Sequence, residues 1–194
     1  MPLPAVNREV VAAILSVVYL LLAIRQQISC WLAAFVSSCL YVWVYFDAQL
    51  YMESSLSVFY AIMAIYGFYQ WRGAAGGATL SVRRWPLRSH ALGLAATLAM
   101  SILTSYALRR YTPAAWPFVD SMITWASVYA TFLVARKVYE NWYWWLVIDS
   151  VALVVYYARH LYPTLLLFVL YLVLIGPGMR EWRRGLPTAG HVAL

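Results

Sequence analysis

The apolar positions of this chain fall into seven blocks, at about 9–25, 29–46, 53–71, 90–108, 119–136, 142–159 and 162–179. Each block is at or near the roughly 20 residues that a helix needs to cross the hydrocarbon core of a bilayer. Polar residues collect between the blocks in short loops, and the widest gap, Arg72 to Ser89, is rich in Gly and Arg and reads as a cytoplasmic linker. The pattern predicts an all-α membrane protein with seven transmembrane helices and no sizeable soluble domain. The first block has no basic leader and no small-residue cleavage site, so it reads as a mature helix.

Composition agrees: 64% of the residues are hydrophobic, 11% are charged and the mean hydropathy is +0.71, against about a quarter charged in soluble domains. A net charge of +7 would fit nucleic-acid binding in a soluble protein. Here the basic residues sit in loops between apolar spans, where they report orientation. Arg8, Arg109, Arg110 and Arg159 fall on one side; Arg25, Arg72, Arg83, Arg84, Arg88, Arg136, Lys137, Arg180, Arg183 and Arg184 fall on the other. This asymmetry predicts an N-terminus outside and a C-terminus in the cytoplasm, and the protein is expected in the cell inner membrane. Cys30 and Cys39 lie on one predicted helix, about 13 Å apart by helical rise, too far for a disulfide.

Shifting the chain by 111 residues against itself pairs Arg25 with Arg136, Trp31 with Trp142, Tyr45 with Tyr156, Leu50 with Leu161, Tyr51 with Tyr162, Tyr60 with Tyr171, Gly67 with Gly178 and Trp71 with Trp182. Glu9 also falls on Asp120. The series runs without a gap through three helices and their loops. It predicts two three-helix repeats joined by one extra helix, a 3+1+3 plan. The divisions are 1–71, a linker with the fourth helix over 72–117, 118–182, and a cytoplasmic tail over 183–194. One inserted helix makes the repeats parallel, a transporter architecture with substrate near the midplane.

The chemistry gathers on the sixth helix. Trp142, Trp145, Asp149 and Tyr156 recur at three- and four-residue spacing and share a face; Trp31, Ser38, Tyr41 and Tyr45 form the matching face of the second. Asp149 lies about 10 Å beyond Trp142 along the axis, deep in the core, where a carboxylate costs at least about 2.5 kcal/mol and needs a partner. Read functionally, aromatic faces take up a cationic heterocycle while Asp149 supplies the counter-charge; read structurally, a hydrogen-bonded Asp149 ties helices together. Trp71 and Trp142, at helix ends, suit either substrate stacking or interfacial anchoring. Glu9 and Asp120 fit an entrance for cations or simply favourable helix N-termini. Tyr60, Tyr66 and Tyr69 offer hydroxyls on the third helix, Gly67 and Gly178 allow close helix approach, and His90, His160 and His191 are expected in solvent. No phosphate-cradling G-x-x-x-x-G-K-[ST] segment occurs, so the chain has no ATPase of its own. Metal-ligand spacing and G-x-S-x-G are also missing, and no cofactor is expected.

Three stretches carry a resemblance: Leu50-Tyr51 with Val58-Phe59-Tyr60 and Ile65-Tyr66-Gly67-Phe68-Tyr69-Gln70-Trp71; Phe118-Val119-Asp120-Ser121; and Arg136-Lys137-Val138-Tyr139-Glu140-Asn141-Trp142-Tyr143-Trp144-Trp145, with the closing Arg180-Glu181-Trp182. From Glu9 to Trp182 the chain resembles the nicotinamide riboside transporter (PnuC) family, which includes thiamine- and riboflavin-carrying relatives. The resemblance implies a fold similar to SWEET sugar transporters and a homotrimer. It also implies facilitated diffusion of a vitamin-like substrate that a cytoplasmic kinase then traps. It points to Asn141, Trp142, Trp144 and Trp145 as substrate residues, with Asp149, Trp71, Ser38, Tyr41, Tyr60 and Ser57 beside them. The chain departs from the family at four of the positions that read substrate. Phe68 replaces the first Trp of a W-x-x-W, Ser57 replaces a Gln, and Ser38 and Asp149 replace asparagines. Nicotinamide riboside is the preferred expectation; thiamine, also cationic, is the alternative, with riboflavin behind both.

Overall fold

A computed structural model describes residues 5–47, 51–73, 80–111, 116–158, 160 and 162–187. Leu50, Leu161, Arg159, His191 and the tail from 188 onward lie outside the described residues, as does the side chain of Tyr51. Seven helices account for the described chain: α1 (Ala5–Ile24), α2 (Cys30–Asp47), α3 (Tyr51–Arg72), α4 (Leu87–Tyr111), α5 (Pro117–Ala135), α6 (Asn141–Ala158) and α7 (Tyr162–Arg184). Among the described residues there is no strand, and one isolated parallel bridge joins Arg83 to Val138. Each helix has 18 to 25 residues. Four segments, Cys30–Asp47, Leu87–Tyr111, Pro117–Ala135 and Thr164–Arg184, are long and apolar enough to cross a membrane by composition alone.

α7 runs through Pro177 and ends at Arg184, five residues past the expected end. Hydropathy falls at Arg180, but the backbone continues because basic residues in a last turn complement the helix dipole.

The chain divides into two compact units, Met1–Ser81 and Val82–Leu194. In the first, α2 packs against both α1 and α3. In the second, α6 packs against both α5 and α7, and α4 lies against α5. The 111-residue shift carries α2 onto α6 at both ends and carries the end of α1 onto the end of α5. It also carries the start of α3 onto the start of α7.

The turns before α2 and α6 are the same turn. In each, a residue with positive φ, Gln26 at 55° and Lys137 at 50°, ends the preceding helix. Gln26 N–H donates to Ala23 O and Gln27 N–H to Leu22 O; Lys137 N–H donates to Val134 O and Val138 N–H to Leu133 O. This paired pattern is a Schellman ending, which satisfies carbonyls that the helix leaves open. Neither residue is Gly, so each turn carries left-handed strain of roughly 1–2 kcal/mol.

The interior mixes buried aromatic and aliphatic residues with many small hydroxyl residues, and the exterior is large and apolar. Ser37, Ser54, Ser57, Thr97, Ser101, Ser105, Ser121, Ser127 and Thr131 are buried, while Leu32, Trp43, Ile62, Leu92, Leu103, Val147, Val154, Leu166 and Val173 are exposed. Such a surface faces lipid, where small residues let helices approach and hydroxyls bond across them. Ser37 Oγ, for example, donates to Ala12 O at 2.8 Å and lies 2.9 Å from Ser16 Oγ, joining α2 to α1. Across α4 and α5, Trp125 Nε1 donates to Thr104 Oγ1 at 3.0 Å and Tyr129 covers Gly93.

Candidate functional site

Each unit builds its candidate face on its middle helix, and both faces begin with a tryptophan set over a glycine. Trp31 at the head of α2 meets Trp71 at the end of α3 edge to face, with centroids 5.4 Å apart and planes at 87°. Trp142 at the head of α6 meets Trp182 at the end of α7 in the same way, at 5.6 Å and 90°. The Trp31 ring lies directly on the backbone of Gly67, and the Trp142 ring on that of Gly178. A Cβ at either glycine would occupy ring atoms, so both positions need Gly for closeness and not for a turn. All four tryptophans are buried, which removes them from the lipid interface as anchors. Edge-to-face pairs of this kind are worth about 0.5–1.5 kcal/mol beyond their buried area.

Beyond the first turn the two faces diverge. On α2 the buried positions continue with Ser37 and Ser38; on α6 they continue with Ile148 and Asp149. Asp149 is only 4% exposed, and no hydrogen bond or ion pair to it occurs among the described residues. Water cannot solvate this carboxylate from the lipid side, because Val147, Val151 and Val154 occupy that surface. A carboxylate so placed is satisfied either by taking up a proton or by a donor or cation arriving from outside the fold.

The remaining predicted residues fall in three settings. Asn141 is 1% exposed; its Nδ2 donates to Val138 O at 2.7 Å, and its Oδ1 has no partner among the described residues. The indole N–H groups of Trp31 and Trp142 are likewise buried without a partner there. Trp144 and Trp145 point to the α5 side, where both pack on the cluster of Ala126, Ala130 and Ile148. Trp144 also lies 4.8 Å from the Tyr129 ring and donates from Nε1 to His90 Nδ1 at 3.4 Å. In the first unit, Tyr41 stacks on Tyr45 at 5.3 Å, Tyr60 lies edge-on to Phe59 at 5.9 Å, and Ser57 is buried on α3. A groove of about 300 Å³ between α2 and α3 is lined by Phe35, Cys39, Val42, Trp43, Val58 and Ile62. It offers nothing that would recognise a polar vitamin.

Sequence reasoning placed His90 in solvent, and here the structure differs. The His90 side chain is 13% exposed, with Nε2 3.8 Å from Glu140 Oε2. Its signal was hidden because its partners, Glu140 and Trp144, are 50 and 54 positions away.

These features can be set beside known proteins. Residues 7–184 match the family model described as nicotinamide mononucleotide transporter. The chain is 26% identical to the nicotinamide riboside transporter PnuC of Escherichia coli K12, over 96% of this chain and 89% of that one. It is 26% identical to the riboflavin/roseoflavin transporter RibM of Streptomyces davaonensis, over 90% and 83%. The fold is similar to the crystal structure of the vitamin B3 transporter PnuC, with a TM-score of 0.73 at 23% identity, covering 91% of this chain and 80% of that one. A lipid-facing exterior, seven helices and a match across almost the whole chain lead to one conclusion: this is a multi-pass membrane protein that belongs to the nicotinamide mononucleotide transporter family.

Proposed function

We propose that this transporter carries nicotinamide riboside into the cell by facilitated diffusion, and that a cytoplasmic kinase makes uptake one-way by phosphorylating the product. The observation that carries the reading is Asp149, a buried carboxylate on the substrate face of α6 with no partner among the described residues. Nicotinamide riboside brings a fixed positive charge on an aromatic ring, and so meets the carboxylate and the aromatic residues at once. Its carboxamide and ribose hydroxyls suit the open Asn141 Oδ1 and the indole N–H of Trp142. The relatives named for nicotinamide riboside support the substrate. The sequence carries no phosphate-cradling motif, which leaves an ion gradient or the trapping reaction as the source of any net uptake.

Thiamine is the second reading, on the same observation: its thiazolium ring carries the same kind of charge. Riboflavin is uncharged and makes no use of the carboxylate; its support is the RibM relative alone. The family resemblance favours a homotrimer. The excess of Arg on one set of loops favours a cytoplasmic C-terminus.

Radiolabelled uptake into liposomes containing the purified protein decides among the three. Saturable entry of nicotinamide riboside that stops at equal inner and outer concentrations is expected. Accumulation above that level under an ion gradient would remove the passive mechanism, and saturable entry of riboflavin alone would remove the cationic reading.

A further inference from the structure

The segment between α3 and α4 was expected to be a plain linker, yet its second half is fastened to the turn before α6. Arg83 N–H donates to Lys137 O at 3.0 Å and Tyr139 N–H donates to Arg83 O at 2.9 Å, which makes the isolated parallel bridge. Arg83 Nε donates to Arg136 O at 3.2 Å. The Arg84 guanidinium lies over the Tyr139 ring, 5.3 Å from its centroid. At the next residue, Trp85 N–H donates to Glu140 Oε2 at 3.2 Å, and the Trp85 ring lies edge-on to Phe132 at 6.0 Å. Val82 and Val138 are both buried. The contacts end at His90 in the first turn of α4, where Nδ1 accepts from Trp144 and Nε2 faces Glu140. Accepting from the indole puts the histidine proton on Nε2, toward the carboxylate.

The equivalent turn before α2 has the same backbone but takes no such bridge among the described residues. Ser29 stands where Glu140 would be.

We propose that Val82 to His90 is a positioning clamp for the head of α6. Glu140 and His90 are its two positioning residues: Glu140 holds the strap to the turn, and His90 fixes the orientation of the Trp144 ring. The clamp therefore makes the start of α4, the α5–α6 turn and the first turn of α6 move as one piece. This rests on the reading of α6 as the substrate helix, since Asn141, Trp142 and Trp144 all ride on that piece. Bridge hydrogen bonds shielded by Val82 and Val138 would open together or not at all, because each N–H that leaves the bridge exposes a buried partner.

Hydrogen exchange on the full chain in nanodiscs tests the clamp without any substrate. Amides in 82–90 and 136–144 are expected to exchange at matching rates, and Glu140→Ala should accelerate both at least fivefold while leaving 25–33 unchanged. Acceleration of 82–90 alone would mean that the strap is a passenger, and would overturn the proposal. If Glu140→Ala does not fold, His90→Leu serves in its place with the same expectation. Uptake then tests the role of His90. His90→Leu should raise KM at least threefold, and His90→Gln, which keeps an acceptor for the indole N–H, should stay within twofold of the parent. Equal impairment of the two variants would overturn the positioning of Trp144. A parent protein that carries none of the three vitamins would sink the proposed function, while the exchange result would still decide the clamp.

Discussion

The turn before α2 and the turn before α6 share a backbone, and they differ in everything that touches them. Both end a helix with a non-glycine residue at positive φ, both start the next helix with a tryptophan, and both tryptophans lie on a glycine and against a second tryptophan. One turn carries a strap and leads to a buried carboxylate; the other leads to a pair of serines. The shared parts are those that packing demands, since a ring pressed on a helix backbone leaves no freedom at either position. The divergent parts are the strap contacts and the pair Ser37 and Ser38 against Ile148 and Asp149. On the function proposed above, ligand recognition belongs where the two units stop agreeing.

The sharpest way to break this comparison is to attack what is shared. Gly67→Ala and Gly178→Ala each place a Cβ inside a buried indole that is pinned by a second one. Overpacking of this kind costs about 1–3 kcal/mol, and more where the neighbour cannot yield. Both variants are expected at the upper end of that range and within about 1 kcal/mol of each other. Gly176, two residues from Gly178 on α7, has open space around its would-be Cβ, and Gly176→Ala should be neutral or slightly stabilising. Thermal unfolding in detergent measures all three. A large gap between Gly67→Ala and Gly178→Ala would mean that the two packing sites are alike only in outline.

A smaller effect is expected where the copies diverge. Asp149→Asn keeps the shape and removes the charge. Loss of a charged hydrogen-bond partner is worth about 1.5–3 kcal/mol, so affinity for nicotinamide riboside or thiamine should fall about tenfold to a hundredfold. Entry of neutral riboflavin, if any is measured, should be unchanged. Ser38→Asn, at the equivalent position of α2, should alter the affinity for cations by less than about threefold, or 0.7 kcal/mol. Competition uptake assays give all of these values. Equal losses for charged and neutral substrates in Asp149→Asn would show that the carboxylate supports the helix and not the ligand.

What could be read from the sequence follows the range over which each signal acts. Trp31, Gly67 and Trp71 were visible as a set because a repeat prints the same residues twice, and the ends of α2 and α6 came within a residue because the apolar blocks stop where those helices do. Asp149 was visible because a charge inside an apolar block is anomalous by itself. The buried serines were not visible as an interior, since a hydroxyl barely dents an apolar run and the large residues outside them dominate it. Nor was the strap. Val82 to Trp85 has no periodicity to display, and its partners are one turn whose sequence already reads as a helix boundary. His90 was misplaced for the same reason: a histidine near a helix start reads as solvated until Glu140 and Trp144 are seen beside it.

The smallest expected effect separates the two turns themselves. Gln26 and Lys137 both sit in the left-handed region, where Gly has no Cβ penalty. Replacing either by Gly relieves strain of roughly 1–2 kcal/mol, against about 0.5–1 kcal/mol lost to the greater freedom of Gly in the unfolded chain. Gln26 is half-buried, so Gln26→Gly should stabilise by about 0.5 kcal/mol. Lys137 is only 8% exposed and its carbonyl receives the strap, so Lys137→Gly also loses packing of the lysine stem. Its net effect should be zero or a loss of about 1 kcal/mol. Unfolding midpoints of the two variants, compared under one condition, give the difference directly. Equal gains would mean that the strap lies over the second turn without using the side chain beneath it, and the clamp would then rest on Glu140 and His90 alone.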